Sequence, residues 1–305
     1  MSKTSGASAA RRAGFVAIVG EANVGKSTLL NQILGVKLSI VSKKPQTTRK
    51  RVLGIHSDNN VQMIFMDTPG ILTPRYELHR SMMEYVRDAI ETADVILLLL
   101  DASQAINSLE YVENKLKIAL AEMPRPVVIG LNKVDRVHLK KSILPIMQEL
   151  LAVQTVREVV PVSALAGDNV AALLNAVQKF VPEHEFYYDP EDLSELPQRF
   201  FVAEIIRETV FREFRQEIPY STEIVINEFK EREQGKLYIN ADIVVERDTQ
   251  KAIVIGKGGS KLKELGQRSR KAIEAHLGMP IYLELFVKVR EDWRDNKNIL
   301  QSFGY

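Results

Sequence analysis

An eight-residue motif near the start of the chain has the residue types and spacing that hold phosphate. It reads GEANVGKS at residues 20–27, follows an apolar run at 15–19 and precedes a helical pattern. Glycines at positions 20 and 25 let the backbone turn tightly, so that amide groups and a helix N-terminus converge on phosphate oxygens. We expect Lys26 to reach the terminal phosphates and the Ser27 hydroxyl to ligate Mg²⁺. The predicted phosphate-binding residues are Gly20, Glu21, Ala22, Asn23, Val24, Gly25, Lys26, Ser27 and Thr28.

A second motif, Asp67-Thr68-Pro69-Gly70, follows the apolar run at 61–66. An aspartate at a strand tip can hold Mg²⁺ through a water, and the uncrowded Gly70 amide can approach a γ-phosphate. Alone this motif is an ordinary turn, but after a phosphate loop it indicates a γ-phosphate sensor. The predicted phosphate site therefore includes these four residues and Ile71.

A third motif indicates which base accompanies the phosphates. Asn132-Lys133-Val134-Asp135 follows the apolar run at 127–131. One carboxylate, Asp135, can accept both adjacent donors of guanine, a pair that adenine lacks. Asn132 either faces the base or ties the loop to the phosphate motif, and the stem of Lys133 can cover the base. The predicted guanine-binding residues are Asn132, Lys133, Val134, Asp135, Ser163, Ala164 and Leu165.

Between the first two motifs lies a basic segment at 43–51 with five cations and no carboxylate. A hydroxyl from this segment could complete Mg²⁺ coordination once a γ-phosphate is present, giving a nucleotide-dependent loop. Spacing does not separate Thr47 from Thr48, so both are predicted metal ligands beside Ser27 and Asp67. A solvated basic loop is the alternative interpretation. The predicted catalytic and switch residues are Asn23, Lys26, Thr47, Thr48 and Gly70.

The second half of the chain contains a different glycine loop, VIGKGGS at 254–260. Seven cations and one carboxylate lie between 251 and 271. A flexible backbone and a following basic helix can bind the phosphates of single-stranded RNA, and neighbouring isoleucines can line a base groove. The alternative is a plain helix-entry turn. The predicted RNA-binding residues are Ile253, Ile255, Gly256, Lys257, Gly258, Gly259, Lys261, Lys263 and Arg268.

The elements that carry these motifs fall into two patterns. In the first half, short β-branched runs at 15–19, 61–66, 95–100, 127–131 and 159–162 alternate with helical spacing. This pattern predicts an α/β domain with a mostly parallel sheet and helices on both faces, whose strand ends bind ligand. After residue 200 the predicted order is α-β-β-α-α-β, an α+β module that ends in a half-buried strand at 281–289.

Length and charge support two domains. The chain has 305 residues and a formal charge of +2, but residues 1–180 hold 22 basic and 16 acidic residues, whereas 181–305 hold 19 and 23. The segment 181–199 has three prolines, six carboxylates and one arginine. We therefore predict a disordered extension at 1–13, a first domain at 14–180, a linker at 181–199 and a second domain at 200–305. An acidic surface loop is the alternative for the linker.

Composition excludes several classes of protein. Hydrophobic residues make up 45% and charged residues 26%, which is ordinary globular usage. The chain has no cysteine, so disulfide scaffolds, cysteine-ligated metals and thiol nucleophiles are excluded, and a reducing, cytoplasmic compartment is expected. No apolar run approaches the roughly 18 residues that span a bilayer. We therefore expect no segment of the sequence to cross a membrane.

The four ordered motifs of the first half resemble those of the translation-factor-like class of small GTPases. GTP hydrolysis is the expected activity. Ras-like members of this superfamily place a water-orienting glutamine directly after the second motif, where this chain has Ile71. Isoleucine cannot hydrogen-bond, so slow intrinsic turnover is expected. Together with Asn23, this replacement resembles potassium-activated GTPases, in which K⁺ near that asparagine supplies positive charge.

A GTPase domain followed by a module that resembles the type II KH fold is similar to the Era family of ribosome-associated GTPases. The resemblance covers residues 15–289. It implies binding to the 3′ end of 16S ribosomal RNA, a role in small-subunit maturation, and RNA binding by the GTP form. It also implies a peripheral membrane contact, and a monomer is expected.

Two alternative functions remain open. The first is an RNA-binding scaffold in which the nucleotide is structural. The second is a P-loop ATPase or kinase, which Asp135 argues against. DNA is not an expected partner, because no major-groove reading helix with dimer symmetry is evident.

Overall fold

The computed structural model describes residues 10–42, 44–105, 123–231 and 236–305. Its residue contacts divide the chain into two units. The first unit holds the described residues of 1–39, 50–71 and 84–195, and the second holds those of 40–49, 72–83 and 196–305. The predictions for residues 1–9 and for residue 43 lie outside the described part of the chain. The last two residues of the predicted disordered extension at 1–13, Arg12 and Ala13, instead begin the first strand, and Ala13 is buried.

The first unit is built on a six-stranded sheet in the order β2-β3-β1-β4-β5-β6. Only β2, which pairs with β3, is antiparallel to its neighbour. Every residue of β4 and of β5 is buried, as continuous apolar runs predict for strands covered on both faces. The predicted mostly parallel sheet is confirmed. The strands are β1 (Arg12–Val19), β2 (Val52–Ser57), β3 (Val61–Asp67), β4 (Val95–Asp101), β5 (Val127–Asn132) and β6 (Val156–Pro161).

The described helices that connect these strands return the chain so that the parallel strands end at one edge. The loops after β1, β3, β5 and β6 therefore meet there, and they carry the predicted nucleotide motifs. One of these helices, α2, is shared, because its residues 77–83 belong to the second unit. The connecting helices are α1 (Lys26–Leu34), α2 (Glu77–Thr92), α3 (Ala102–Ala105) and α4 (Ile143–Leu151), and α5 (Val170–Gln178) follows the last strand.

Strand β2 was not predicted, because Gly54 interrupts its β-branched pattern. The structure gives this glycine a packing reason. A Cβ at Gly54 would lie 2.7 Å from a side-chain carbon of Leu34 and 2.8 Å from one of Leu30. The lack of a side chain at Gly54 therefore leaves room for these two leucines of helix α1 against the strand.

The second unit contains a three-stranded sheet in the order β7-β8-β9. Strand β8 is antiparallel to β7 and parallel to β9. The predicted order of helices and strands, α-β-β-α-α-β, is confirmed, and a short C-terminal helix follows. Among all the helices in the described ranges, none is both long and apolar enough to cross a bilayer. The elements are α6 (Gln198–Glu213), β7 (Glu223–Glu231), β8 (Leu237–Val245), α7 (Asp248–Ile255), α8 (Ser260–Leu277), β9 (Ile281–Val289) and α9 (Lys297–Ser302).

A separate hydrophobic cluster of the second unit surrounds Trp293, whose side chain is fully buried. It packs with Leu78, Met82, Val244 and Leu300, and its indole N–H donates to the Ser221 carbonyl at 3.0 Å. Leu78 and Met82, which follow the second nucleotide motif in the chain, are therefore part of the interior of this unit.

The acidic segment predicted as a linker is bound to the first unit as far as Glu195. The Ile55 amide on β2 donates to the Leu193 carbonyl at 2.9 Å. The Gln62 side chain on β3 accepts from the amides of Tyr187 and Tyr188 at 2.8 and 3.0 Å. These bonds satisfy backbone groups along that segment, and the two units divide at Leu196.

Candidate nucleotide site and RNA-binding loop

The loop between β1 and α1 has the backbone conformation that its glycines permit. Gly20, Asn23 and Gly25 have φ angles of 149°, 64° and 106°, and glycine and asparagine tolerate positive φ best. A Cβ at Gly25 would collide with the Asn132 side-chain amide. Glycine at this position therefore lets the phosphate loop approach the predicted guanine motif.

Lys26 is the first residue of α1, and its ammonium group lies inside the loop. It donates to the carbonyl oxygens of Gly20 at 3.0 Å and Glu21 at 2.9 Å. Burial lowers the pKa of Lys26 to about 8, although the carboxylates of Asp67 and Glu21 oppose this shift. The loop thus holds a buried cation whose charge an anionic ligand would stabilise.

Nucleotide affinity should therefore fall as the pH rises through 8. Bound phosphates favour the charged form of Lys26, whereas in the free protein its pKa is about 8. From pH 7 to 8.5 the charged fraction falls about fourfold, and the affinity should fall by that factor. Fluorescence titration with GDP and guanosine tests this, because guanosine lacks phosphates and controls for titration of the base. A GDP-to-guanosine affinity ratio that stayed constant would contradict the role of Lys26.

Two oxygen ligands for a hard cation lie side by side at the end of the loop. The Ser27 hydroxyl donates to the Asp67 carboxylate at 2.7 Å, and Asp67 is fully buried at the end of β3. A hydroxyl and a carboxylate with this spacing fit Mg²⁺, which prefers oxygen and is bound by few protein groups beside phosphates. Ser27 and Asp67 could therefore hold the predicted metal.

The motif after β3 also lies against the phosphate loop. A Cβ at Gly70 would lie 2.7 Å from Cα of Ala22 and 2.8 Å from its backbone nitrogen, so only glycine fits without displacing the loop. The Ile71 amide donates to the Gly20 carbonyl at 3.1 Å, and the Ile71 side chain is 44% exposed. Thr68 and Pro69 are buried. The first two predicted motifs are therefore brought together.

Asn132 connects the predicted guanine motif to its neighbours. Its amide nitrogen donates to the Val24 carbonyl at 2.7 Å, and its oxygen accepts from the Ala164 amide at 2.9 Å. Of the two roles that the sequence left open, the structure supports the tie to the phosphate loop. The Ser163 hydroxyl donates to the Asp135 carboxylate at 2.7 Å, which orients this exposed side chain. Leu165 is 76% exposed beside it.

Asp101 is a supporting residue that sequence reasoning missed. Its carboxylate accepts from the Lys133 ammonium at 2.7 Å and from the Ser103 hydroxyl at 2.6 Å. Burial raises its pKa, but the hydrogen bonds from Lys133 and Ser103 outweigh burial and hold the pKa below its usual value. The missed signal was its position directly after the apolar run at 95–100, and in the sheet Asp101 pairs with Asn132.

Thr47 and Thr48 belong to the second unit, whereas Ser27 and Asp67 belong to the first. The Thr47 hydroxyl donates to the Lys44 carbonyl at 2.8 Å, and Thr48 is buried. Their role as metal ligands stays a prediction.

The glycine loop of the second unit joins α7 to α8. Gly256, Gly258 and Gly259 have φ angles of 72°, 59° and 77°, so the three glycines permit this path. A Cβ at Gly256 would lie 2.8 Å from the Lys261 side chain, whereas a Cβ at Gly258 would meet nothing within 4 Å. The tip of the loop is therefore open to a ligand.

The predicted RNA-binding cations differ in their surroundings. Lys257, Lys261 and Lys263 are exposed on or beside the loop. Arg268 is ion-paired with Glu213 and Glu264, which reduces the charge it offers to phosphates. The first three are therefore better placed to attract an RNA backbone than Arg268, whose role stays a prediction.

A groove of about 440 Å³ lies between α8 and β9. Leucines form its apolar wall, and Lys263 and Arg270 add cations to it. Ile253 is exposed and Ile255 half-buried, and neither lines this groove, so their contact with bases stays a prediction. The signal in the sequence that could have indicated this groove is the helical spacing of Leu262, Gly266 and Arg270. The lining residues are Gly259, Leu262, Lys263, Gly266, Gln267, Arg270, Leu283 and Leu285.

Comparison with known proteins identifies a known domain in each half of the chain. A family model described as a 50S ribosome-binding GTPase matches residues 15–133, and a KH domain model matches residues 217–294. GTPase Era of Geotalea daltonii is 46% identical over 293 residues, covering 96% of this chain and 97% of the relative. The chain belongs to the Era family of GTPases. Era of Lactobacillus delbrueckii subsp. bulgaricus is 41% identical over 300 residues, 98% of each chain.

Two solved Era structures share the fold over nearly the whole chain. A variant of Aquifex aeolicus Era bound to GDP and AlF₄⁻ has a TM-score of 0.88 at 42% identity, covering 96% of this chain and 99% of that one. Era in complex with MgGDPNP and nucleotides 1506–1542 of 16S ribosomal RNA has a TM-score of 0.89 at 42% identity, covering 97% and 99%. The predicted Era-type combination of a GTPase domain and a KH domain is confirmed.

Proposed function

We propose that this Era-family GTPase binds GTP with Mg²⁺, hydrolyses it to GDP and phosphate, and binds the 3′ end of 16S ribosomal RNA during small-subunit maturation. The observation that carries the proposal is the likeness over nearly the whole chain to Era in complex with MgGDPNP and 16S RNA. The ordered nucleotide motifs of the first unit and the open glycine loop of the second support it independently.

Different residues of the nucleotide site bind the phosphates, select the base and hold the metal. Lys26 binds the β- and γ-phosphates, the Gly70 amide binds the γ-phosphate, and Asp135, oriented by Ser163, selects guanine. Mg²⁺, held by Ser27, Asp67 and either Thr47 or Thr48, would neutralise charge on the phosphates. The hydrocarbon side chain of Ile71 cannot orient the attacking water, so intrinsic hydrolysis is slow. The water must be positioned by other groups.

The central test compares RNA affinity in the two nucleotide states. A fluorescent RNA with the 16S 3′ sequence should bind the complex with a GTP analogue at least about fivefold more tightly than the GDP complex. A scrambled RNA of equal length controls for charge. Equal affinities for the 3′ sequence in both states would favour an RNA-binding scaffold with a structural nucleotide. Displacement of GTP by equimolar ATP would favour an ATPase or kinase.

Potassium is proposed as an activating ion near Asn23. A monovalent cation there would supply positive charge beside the phosphates without the need for a catalytic group from another protein. GTP hydrolysis should be about tenfold faster in KCl than in NaCl of equal ionic strength, and Asn23→Ala should remove the difference. Equal rates in both salts, or full activation of the variant, would contradict the proposal.

The cellular setting is also proposed from the family. We expect a cytoplasmic monomer, with a peripheral contact on the cytoplasmic face of the membrane. Sedimentation of the purified protein tests whether it is a monomer. Flotation with anionic lipid vesicles tests the membrane contact, and neutral vesicles are the control.

A further inference from the structure

Arg49 binds one segment of the second unit to a distant part of the same unit. Its side chain is 1% exposed. The guanidinium donates to the carbonyl oxygens of Pro219, Tyr220 and Thr222 at 2.9, 2.9 and 2.7 Å. It also pairs with the Glu223 carboxylate at 3.1 Å. Four acceptors around one buried cation fix the position of this side chain.

Aromatic side chains surround this ion pair. The guanidinium carbon lies 5.9 Å from the ring centres of both Phe211 and Trp293. The Tyr305 hydroxyl donates to Glu223 at 2.7 Å. The planar, multi-donor guanidinium suits such a site, whereas the compact ammonium of lysine does not. The geometry is therefore specific to arginine.

The same segment makes further bonds to α6 and to the residue after it. The Lys44 ammonium donates to the carbonyl oxygens of Phe211 and Phe214. The Val41 amide donates to the Glu208 carboxylate at 3.3 Å. Residues 40–49 are thus attached to the second unit at several points, which include both ends of the segment.

The position of Arg49 in the chain gives these contacts a functional meaning. It directly follows Thr47 and Thr48, one of which is proposed to ligate Mg²⁺. The residues that precede and follow segment 40–49 belong to the first unit, whereas the segment itself belongs to the unit that carries the glycine loop. A change in this segment caused by nucleotide therefore acts directly on the unit proposed to bind RNA.

We propose that Arg49 is a positioning residue that couples nucleotide state to RNA affinity, an inference that rests on the proposed function. It fixes segment 40–49 on the KH unit, so that Thr47 or Thr48 cannot respond to the γ-phosphate without a response of that unit. Coupling between two binding sites is reciprocal. RNA must then change the affinity for the GTP analogue by the same factor as the analogue changes the affinity for RNA.

The test uses the double variant Arg49→Met with Glu223→Gln in the full chain. Replacing both members of the pair avoids leaving a buried charge without its partner. The ratio of RNA affinities in the GTP-analogue and GDP states should fall from at least about fivefold to within about twofold of one. The effect of RNA on nucleotide affinity should fall in parallel. A milder variant, Arg49→Lys, keeps the charge and should reduce the ratio at least partly.

A matched control is Arg207→Met with Glu204→Gln. Arg207 is as buried as Arg49, but its ion pair lies within α6. This control should keep the coupling of the unaltered protein. If the ratio of RNA affinities stayed unchanged in the Arg49 variants, or fell equally in the control, Arg49 would not be the coupling residue. The nucleotide switch itself would still stand. A ratio of one in the unaltered protein would instead overturn the nucleotide switch, and the proposal for Arg49 with it.

Discussion

Replacing Asp135 with asparagine should exchange the base that this protein accepts. The carboxylate is expected to accept from both N1–H and N2–H₂ of guanine, and an asparagine amide offers a donor where the second acceptor was. Two hydrogen bonds to a charged group are worth roughly 3–6 kcal/mol together, so GTP affinity should fall on the order of 10²- to 10⁴-fold. Xanthosine triphosphate has a carbonyl in place of the amino group. It should bind the variant more tightly than GTP does.

Competition titration against a fluorescent nucleotide measures both affinities. Asp168→Asn is the matched control, because it makes the same charge change in the adjacent loop, where the backbone of Asp168 pairs with Ser163. The control should keep its preference for GTP. If Asp135→Asn kept that preference as well, guanine recognition would have to depend on other residues.

Replacing Gly258 with aspartate should remove most of the RNA affinity while the fold is retained. The position has a φ of 59° and open space around it, and aspartate is among the residues that tolerate this region best. The added carboxylate would face RNA phosphates within a few ångströms. Repulsion at that distance should lower the affinity about 10- to 100-fold.

Gly278→Asp is a close control for this substitution. Gly278 lies at the other end of α8 with a φ of 68°, and a Cβ added there would meet no atom within 4 Å. Both variants place one carboxylate at an open glycine with positive φ, and the helix dipole disfavours that charge at the C-terminal end of α8, so Gly258→Asp should be at least as thermally stable as the control. RNA affinity measured by fluorescence anisotropy should fall only for Gly258→Asp. Equal losses in both variants would place the RNA site elsewhere.

The nucleotide site was predictable from sequence because its chemistry is local. Lys26 and Ser27 follow a glycine loop, and Asp67 and Asn132 end buried strands, so strand order alone brings them to one edge of the sheet. The sequence left two roles open for Asn132. Its bonds to Val24 and Ala164 depend on contacts between separate loops, which no local pattern contains.

Arg49 and the groove were not predictable for the opposite reason. Within five cations at 43–51, Arg49 has no sequence feature that separates it from a solvated side chain, since its partners lie about 170 residues later. Leu283 and Leu285 lie in the segment 281–289, which was predicted as a half-buried strand. Their part in the groove depends on how closely α8 approaches. Gly266 lies on the side of α8 that faces β9, since a Cβ added there would be in ordinary van der Waals contact with the Leu285 side chain at 3.7 Å.

The second unit is made of three separate stretches of the chain. This arrangement sets the order in which its parts can fold during synthesis. Leu78 and Met82 leave the ribosome long before Trp293 and Leu300, with which they pack. Domains generally fold as units while the chain is made, starting from the N-terminal part. The first unit can thus assemble its sheet while residues 40–49 and 72–83 still lack their partners. Segment 72–83 therefore reaches its final position only when nearly the whole chain has been translated, whereas the hydrogen-bond partners of segment 40–49 are complete once Glu223 has been made.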